Sequence, residues 1–548
     1  MSVEQLLKAD GKKGGLITMP FIIANEAFEE VSSYGLLPNM ILYLMQEYGM
    51  ELVQGTYVVF LWTAATNFTP LVGAFVADSY LGRFLCICLG SISSLLGMIL
   101  LWLTAMFPKL RPSSCYSTIS GACKRASPAQ LGLLYSSFAL MSIGAGGIRP
   151  CSLAFGADQL DNRDSSDPSN KRILESYFSW YYASATASVL ISFTGIVYIQ
   201  DHLGWKIGYG VPAVLMFLSA SSFLIASSLY VKHEPSTNLL VSFAQVIVAS
   251  YRKRRNVPFP TLSSSDEYYH HGKGSEFQVP TDKLRFFNKA CVVTSYEDEV
   301  MSDGSVMNPW RTCTVEQVEQ LKSLIRVLPI WSTGIIMAVS VNQGTFLLVQ
   351  AEFMDRHLTR SFEIPAGSFG SVLLVTLVIW VLSYDRAILP LASKLCGKPV
   401  DLGVKLRMGI GLLFSCSAMV VAAIVEHARR RQAVEIRHSN SSGAVVTMSA
   451  LWLAPQLVLM GVAQGFNSVA QMQFYYSECP KSMSSIAGSL FGLGTAMASL
   501  LASAILSMVD GSTSRNGGTS WVSSDINAAQ LDLYYWLLAA MSLANVVY

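Results

Sequence analysis

Charge is what this chain has least of. Asp, Glu, Lys and Arg make up 14% of its 548 residues, against about 25% in soluble globular domains. That shortage excludes an ordinary solvated surface, and the 52% hydrophobic share must be buried in something other than water. A formal net charge of +2 excludes nucleic acid as a partner, because phosphates call for a concentrated cationic field. The ten cysteines form no CxxC pair, and Cys86, Cys88 and Cys416 lie inside apolar runs, so no metal site and no cofactor is expected. Only Cys115 and Cys123 share a soluble loop. A disulfide between them and two free thiols both stay open, depending on the compartment that loop faces. No signal peptide is expected, since the polar stretch Met1–Lys13 leads into an apolar segment that carries acids rather than a cleavage site.

What the chain has in abundance is apolar length. A bilayer core takes roughly 20 residues of helix, and windows of about 19 residues mark two sets of about six segments. The first set lies near 18–44, 54–77, 84–107, 129–149, 178–199 and 209–231. The second lies near 323–349, 366–384, 404–425, 448–474, 484–508 and 530–548. The expected organisation is a polar N-terminus (1–17), one six-helix half (18–231), a polar central stretch (232–322) and a second six-helix half (323–548).

Loop charge sets the expected orientation. Lys8, Lys12 and Lys13 precede the first segment, and the central stretch holds Arg252-Lys253-Arg254-Arg255, so both are expected in the cytosol. Lys109, Arg111, Lys124 and Arg125 in one opposite loop, and Arg429, Arg430 and Arg431 in another, run against the rule without outweighing the central stretch. Asn440-Ser441-Ser442 then falls outside, where it could accept a glycan. Leu239, Leu240, Phe243, Val246 and Ile247 recur at helical spacing before the basic run. They suit either a helix on the inner leaflet, cations toward headgroups, or a linker helix joining the halves.

Against this background Glu26, Glu29 and Glu30 stand out in the first apolar segment. Carboxylates in lipid are costly and mark ion or substrate pathways, and spacings of three and four residues place all three on one side of a helix. Their face is expected to line a polar cavity, which makes transport the leading function. A static polar network with water and hydroxyls is the competing role.

Gly73-Ala74-Phe75-Val76-Ala77-Asp78 and Gly82-Arg83 join the second and third segments. Glycine allows close helix approach, and Asp78 with Arg83 can pair at the membrane surface. These residues resemble the inter-helix loop motif of the major facilitator superfamily, a conformational latch, and Tyr384-Asp385-Arg386 holds the matching place in the second half. The implied fold is an all-α membrane protein, a major facilitator of twelve transmembrane helices in two six-helix halves. Asn25-Glu26-Ala27-Phe28-Glu29, Phe155-Gly156-Ala157-Asp158-Gln159-Leu160-Asp161, Asn308-Pro309-Trp310, Tyr384-Asp385-Arg386 and Pro480-Lys481-Ser482-Met483 resemble the plant nitrate/peptide transporter family of the proton-coupled oligopeptide transporter group. That resemblance runs from about Gly14 to the chain end and implies alternating access around a midplane substrate site.

Departures from the family pattern refine the expectation. Glu30 stands where a Glu-x-x-Glu-basic motif has its cation, leaving three candidate proton-coupling acids. Arg149, in Gly146-Gly147-Ile148-Arg149-Pro150, takes the place of a basic residue whose usual partner is an acid in the tenth helix. Here that place holds Gln464. Arg149 is therefore read as a cation that Gln464 does not oppose, its counter-ion being either a bound anion or a protonatable acid of the first helix, and one Arg against three acids implies at least one shared proton. Asn342 and Gln343 need partners or a cavity in lipid, and Tyr182 belongs to an aromatic motif. Val341 occupies a place that can hold a nitrate-binding histidine in relatives. All seven histidines are read as loop residues. The family's peptide-binding acid is gone, so the expected substrate is a small anion, nitrate first and with low affinity, moved with protons across the plasma membrane. Carboxylate plant hormones of gibberellin, abscisate or jasmonate type, or an anion receptor without transport, are the alternatives. An enzyme is not expected, because nucleophile–base pairs and metal ligands are missing from the apolar segments.

Overall fold

The computed structural model describes residues 14–112, 126–160, 168–232, 239–255, 269–271, 279–294, 299–301, 306–360, 362–397, 402–438, 446–480, 483–514, 520–523 and 525–548. Cys115, Cys123, Lys124, Arg125, Asp161, Asn440-Ser441-Ser442, Lys481, Ser482 and the N-terminal lysines lie outside the described residues.

Helices dominate. In chain order they are α1 (Met19–Leu36), α2 (Met40–Tyr48), α3 (Leu52–Val76), α4 (Arg83–Met106), α5 (Pro128–Leu160), α6 (Pro168–Ile191), α7 (Val197–Ile225) and α8 (Leu239–Lys253). Then follow α9 (Val315–Val341), α10 (Gly344–Glu352), α11 (Gly370–Ser383), α12 (Leu389–Cys396), α13 (Val404–His438), α14 (Ala454–Glu478), α15 (Ser484–Thr513) and α16 (Leu531–Val547). Among the described residues eight helical stretches are long and apolar enough to cross a bilayer, one of them running over Ser176–Ser228. Gly204 breaks that one, at φ 78 and ψ 173, a conformation only glycine adopts cheaply, so it holds two spans. The spans that hydropathy misses carry polar side chains or are short. These are α1 with its acids, continued by α2 past Pro38, then α14 with Gln464, Asn467 and Gln471, and α16 with 17 residues. Gly49, at φ 63, caps α2 by donating its N–H to the Leu44 carbonyl.

The chain divides into two units. The first comprises Met1–Glu234, Thr333–Gln471 and Gly492–Tyr548. Its α3, α4 and α5 pack through glycines. Pro150 has no N–H, so the Gly146 carbonyl one turn earlier has no helical donor from it, and α3 comes in against that carbonyl. A Cβ on Gly73 would lie 1.8 Å from Gly146 O, and one on Gly147 would lie 2.6 Å from Cys86 O. Gly73→Leu is therefore expected to abolish the monodisperse detergent-extracted species, whereas Gly132→Leu, with nothing within 4 Å, should leave it intact. Size-exclusion profiles of the two variants check this.

Two small sheets close the loops of this unit. β1 (Met354–Asp355) and β4 (Val446–Ser449) pair in parallel, while β2 (His357–Thr359) and β3 (Phe362–Glu363) pair antiparallel. Three π-helical turns, Ala77–Leu81, Ser192–Ile196 and Tyr384–Ile388, interrupt spans, a form of irregularity common at functional sites. Arg429, Arg430 and Arg431, read as loop residues, continue α13 instead, and Arg429 is fully buried. The histidines need the same correction, since His202, His427 and His438 are helical. For Arg429, Arg430 and His427 the cause is shared: hydrogen-bonding partners on other elements, Asn527 and Asp532, let this polar stretch of α13 remain helical.

The second unit comprises Pro235–Ser332 and Met472–Phe491. Phe243, Val246 and Ala249 of α8 are buried, but Ile247 is 50% exposed, so the apolar spacing is split between two faces. Lys253 is also buried. Its Nζ donates to Val292 O at 2.6 Å and Thr312 Oγ1 at 2.7 Å, and lies 3.4 Å from Glu299 Oε2. Burial pushes the Lys253 ammonium below its ordinary range, with the Glu299 carboxylate pulling the other way. Lys253 is thus an internal tie and not a headgroup cation. Lys322 makes a second tie, donating to Glu319 Oε1 and Thr281 O, both at 2.7 Å.

Candidate functional site

α1 presents its acids to α5 and α6. Glu29 is fully buried, and its Oε1 accepts from Ser33 Oγ at 2.6 Å and faces Arg149 Nη2 at 3.5 Å. The Arg149 guanidinium also lies 5.0 Å from the Tyr34 ring centroid, a cation–π contact. Glu26, 4% exposed, sits beside Tyr181 and Ser152. Glu30 lies in the field of Glu26, Glu29 and Arg149. One oxygen of each acid (Glu26 Oε2, Glu29 Oε2 and Glu30 Oε2), together with Arg149 Nε, is buried with no hydrogen-bond partner among the described residues. Unsatisfied groups at this density are costly in a static core, and they suit a cluster that exchanges partners.

Of the two counter-ions expected for Arg149, a bound anion or an acid of the first helix, the geometry provides the second. The Arg149 charge is met by Glu29, which stands 120 residues away in sequence. A neighbouring helix with three carboxylates supplies the counter-ion that the tenth helix lacks.

The amides expected near substrate lie elsewhere. A cavity of about 290 Å³ is lined by Asn342, Gln343 and Gln464, with Val341 in its wall. Arg149 and Tyr182 are not among its lining residues, and Tyr182 is 57% exposed. Asn342 Nδ2 donates to Ser499 Oγ at 3.0 Å, and Gln343 Nε2 to Val339 O at 2.8 Å. Thr63, Ser340 and Gln456 add polar atoms, while Val59, Phe60, Phe193 and Leu348 supply apolar wall. Every side chain lining it is uncharged. Gln456, the third residue of α14, escaped sequence reading because no spacing rule separates it from Gln464.

The Asp78–Arg83 pair gains a third member. Arg83 Nη1 lies 2.7 Å from Asp158 Oδ2, and Arg83 Nε lies 3.4 Å from Asp78 Oδ1. Gly82 turns the chain at φ 76, and Gly73 is the close-packing position described above. Asp158 was legible only as part of a family motif. In the second half, Asp385 and Arg386 stand in the π-turn Tyr384–Ile388. Arg386 is exposed, and the side chain of Asp385 lies outside the described residues.

A buried charge network was not foreseen. Arg429 donates to both oxygens of Glu426 at 2.7 and 2.8 Å, to Asn527 Oδ1 at 2.7 Å and to Ile526 O at 2.9 Å. Glu426 Oε2 also accepts from Gln350 Nε2 at 2.7 Å, and Tyr535 donates to Gln350 Oε1 at 3.2 Å. Among the described residues no group of His, Cys, Asp and Glu is placed to hold a metal ion.

Comparison with known proteins decides the family. The model of the POT family (PTR2) matches residues 84–522. The chain belongs to the POT family. Protein NRT1/PTR FAMILY 1.2 of Arabidopsis thaliana is 57% identical over 551 residues, spanning 100% of this chain and 90% of its own length. Protein NRT1/PTR FAMILY 1.1 of the same plant is 55% identical over 549 residues, spanning 100% and 92%. Among solved structures, an auto-inhibited POT family peptide transporter superposes with a TM-score of 0.67 at 18% identity, over 97% of this chain and 95% of that one. The POT family transporter PepTSo does so with a TM-score of 0.67 at 16% identity, over 97% and 96%. The fold of this POT family member is therefore the all-α major facilitator fold, with twelve membrane helices in two six-helix halves. The protein is a multi-pass membrane transporter and not an enzyme.

Proposed function

We propose that this transporter moves a small anion together with protons by alternating access, with nitrate at low affinity as the first substrate. In this reading it sits in the plasma membrane with its N-terminus and central stretch in the cytosol. The observation that carries the proposal is the Glu29–Arg149 pair inside a cluster with three further unsatisfied carboxylate oxygens. One guanidinium faces three acids, so each proton taken up by the cluster loosens its hold on Arg149 and leaves that cation able to face an anion. Gln464 supports an anion over a peptide, because an amide cannot neutralise a peptide's ammonium group. Val341 in the cavity wall supports weak binding of nitrate, since it offers neither charge nor hydrogen bond. The latch residues Gly73, Asp78, Gly82, Arg83, Asp158, Asp385 and Arg386 are assigned to the change of access.

The cavity favours a second reading. Its mixture of apolar wall, amides and hydroxyls fits the body of a carboxylate hormone of gibberellin, abscisate or jasmonate type. Uptake by oocytes of labelled nitrate, a hormone panel and a dipeptide, each in acidic and neutral medium, separates the possibilities. Anion uptake that rises on acidification is expected, and Glu26→Gln or Glu29→Gln should flatten that pH profile more than it weakens binding. Strong dipeptide uptake would overturn the anion assignment, pH-independent flux would remove coupling, and binding with no flux would make the protein a receptor.

A further inference from the structure

The outward side of α8 carries a pattern that transport does not use. Lys253 is turned inward, but Arg252, Arg254 and Arg255 are exposed, as are Ile247 at 50% and Tyr251 at 58%. Ile247 and Tyr251 stand one helical turn apart and share a face. The Arg254 guanidinium lies 3.8 Å from the Tyr251 ring centroid. The face is fixed in place, because Ser250 Oγ donates to Phe287 O at 3.3 Å and Lys289 Nζ donates to Arg254 O at 2.8 Å. These bonds join α8 to the 3-10 turn Arg285–Cys291, where Leu284, just before the turn, and Phe286, within it, are also exposed. Among the described residues the nearby acids are engaged by other cations, Asp282 lying 3.9 Å from Arg285 Nε and Glu299 3.4 Å from the buried Lys253 Nζ, so the α8 arginines keep the face positive.

We infer that this face docks on anionic phospholipid headgroups of the membrane that holds the transporter. Three guanidinium groups suit headgroup phosphates, and a tyrosine places its ring in the apolar boundary with its hydroxyl in the wet layer. Sparse apolar side chains among arginines match an interfacial depth of roughly 5–10 Å; the well-packed core of a protein–protein interface asks for a denser apolar patch. The chain itself favours a membrane partner, since α8 starts at Leu239, soon after α7 ends at Ile225. The inference is independent of which substrate is moved.

Hydrogen–deuterium exchange of the full chain in nanodiscs tests it. Peptides covering 239–253 are expected to exchange about a hundredfold more slowly in discs containing phosphatidylserine than in pure phosphatidylcholine, the order produced by three arginines at an anionic surface. High salt should erase the difference, because screening then acts within a few ångströms. In the variant R252Q/R254Q/R255Q the two lipids should give equal rates, with the detergent melting temperature unchanged, as expected for exposed side chains. Equal rates for the unmodified protein in the two lipids would overturn the inference, as would a lipid difference that survives the triple substitution. Protection that instead rises with protein concentration in phosphatidylcholine would assign the face to a second copy and reject lipid.

Discussion

Arg149→Ala is expected to abolish saturable anion uptake while the protein still reaches the membrane. Among the described residues Arg149 is the single cation set against Glu26, Glu29 and Glu30, and its guanidinium is also held over Tyr34. Truncating one partner of a buried charge pair typically costs about 2–5 kcal/mol, roughly 30-fold or more in affinity. Arg149→Lys keeps the charge but loses the planar fork and its stacking on an aromatic face, so intermediate uptake is expected. The series is read in oocytes as labelled-anion uptake against concentration, with surface protein measured alongside. Unchanged kinetics in Arg149→Ala at normal surface abundance would remove Arg149 from the substrate path.

Arg429→Met is expected to produce the largest loss of stability. Arg429 and Glu426 are both fully buried, and the guanidinium also holds Asn527 and the Ile526 carbonyl. Removing one partner leaves Glu426 as a buried charge, for which losses of about 3–5 kcal/mol are usual. Gln350, bonded to Glu426 and reached by Tyr535, would lose its alignment as well. The double variant Glu426→Gln/Arg429→Met should recover part of the loss, because no net charge is then stranded. Thermal unfolding in detergent, followed by fluorescence-detected size exclusion, gives the order: unmodified, double variant, single variant. A single variant as stable as the unmodified protein would show that the network is dispensable.

The sequence by itself determined the apolar spans and the family, and it placed Glu26, Glu29 and Glu30 on one side of one helix. Hydrophobic length is a local property, and lipid enforces it, because every backbone polar group must be satisfied within the helix. The Glu26, Glu29 and Glu30 spacing is also local, since i, i+3 and i+4 on one helix share a side whatever the surroundings. Even the pairing of Asp78 with Arg83 was legible, because the two stand five positions apart in sequence. Pairing across the chain was not. Arg149 meets Glu29 at a separation of 120 residues, Arg83 meets Asp158 at 75, and Arg429 reaches Asn527 at 98. A charged side chain reads as loop or surface until its partner is known. Lys253 and Arg429 misled for that reason, each buried against acceptors supplied by distant segments. The cavity is likewise a tertiary product. Leu37, Thr63, Phe193, Asn342, Gln464 and Tyr535 come from helices scattered over both halves, and only packing decides that they share one space.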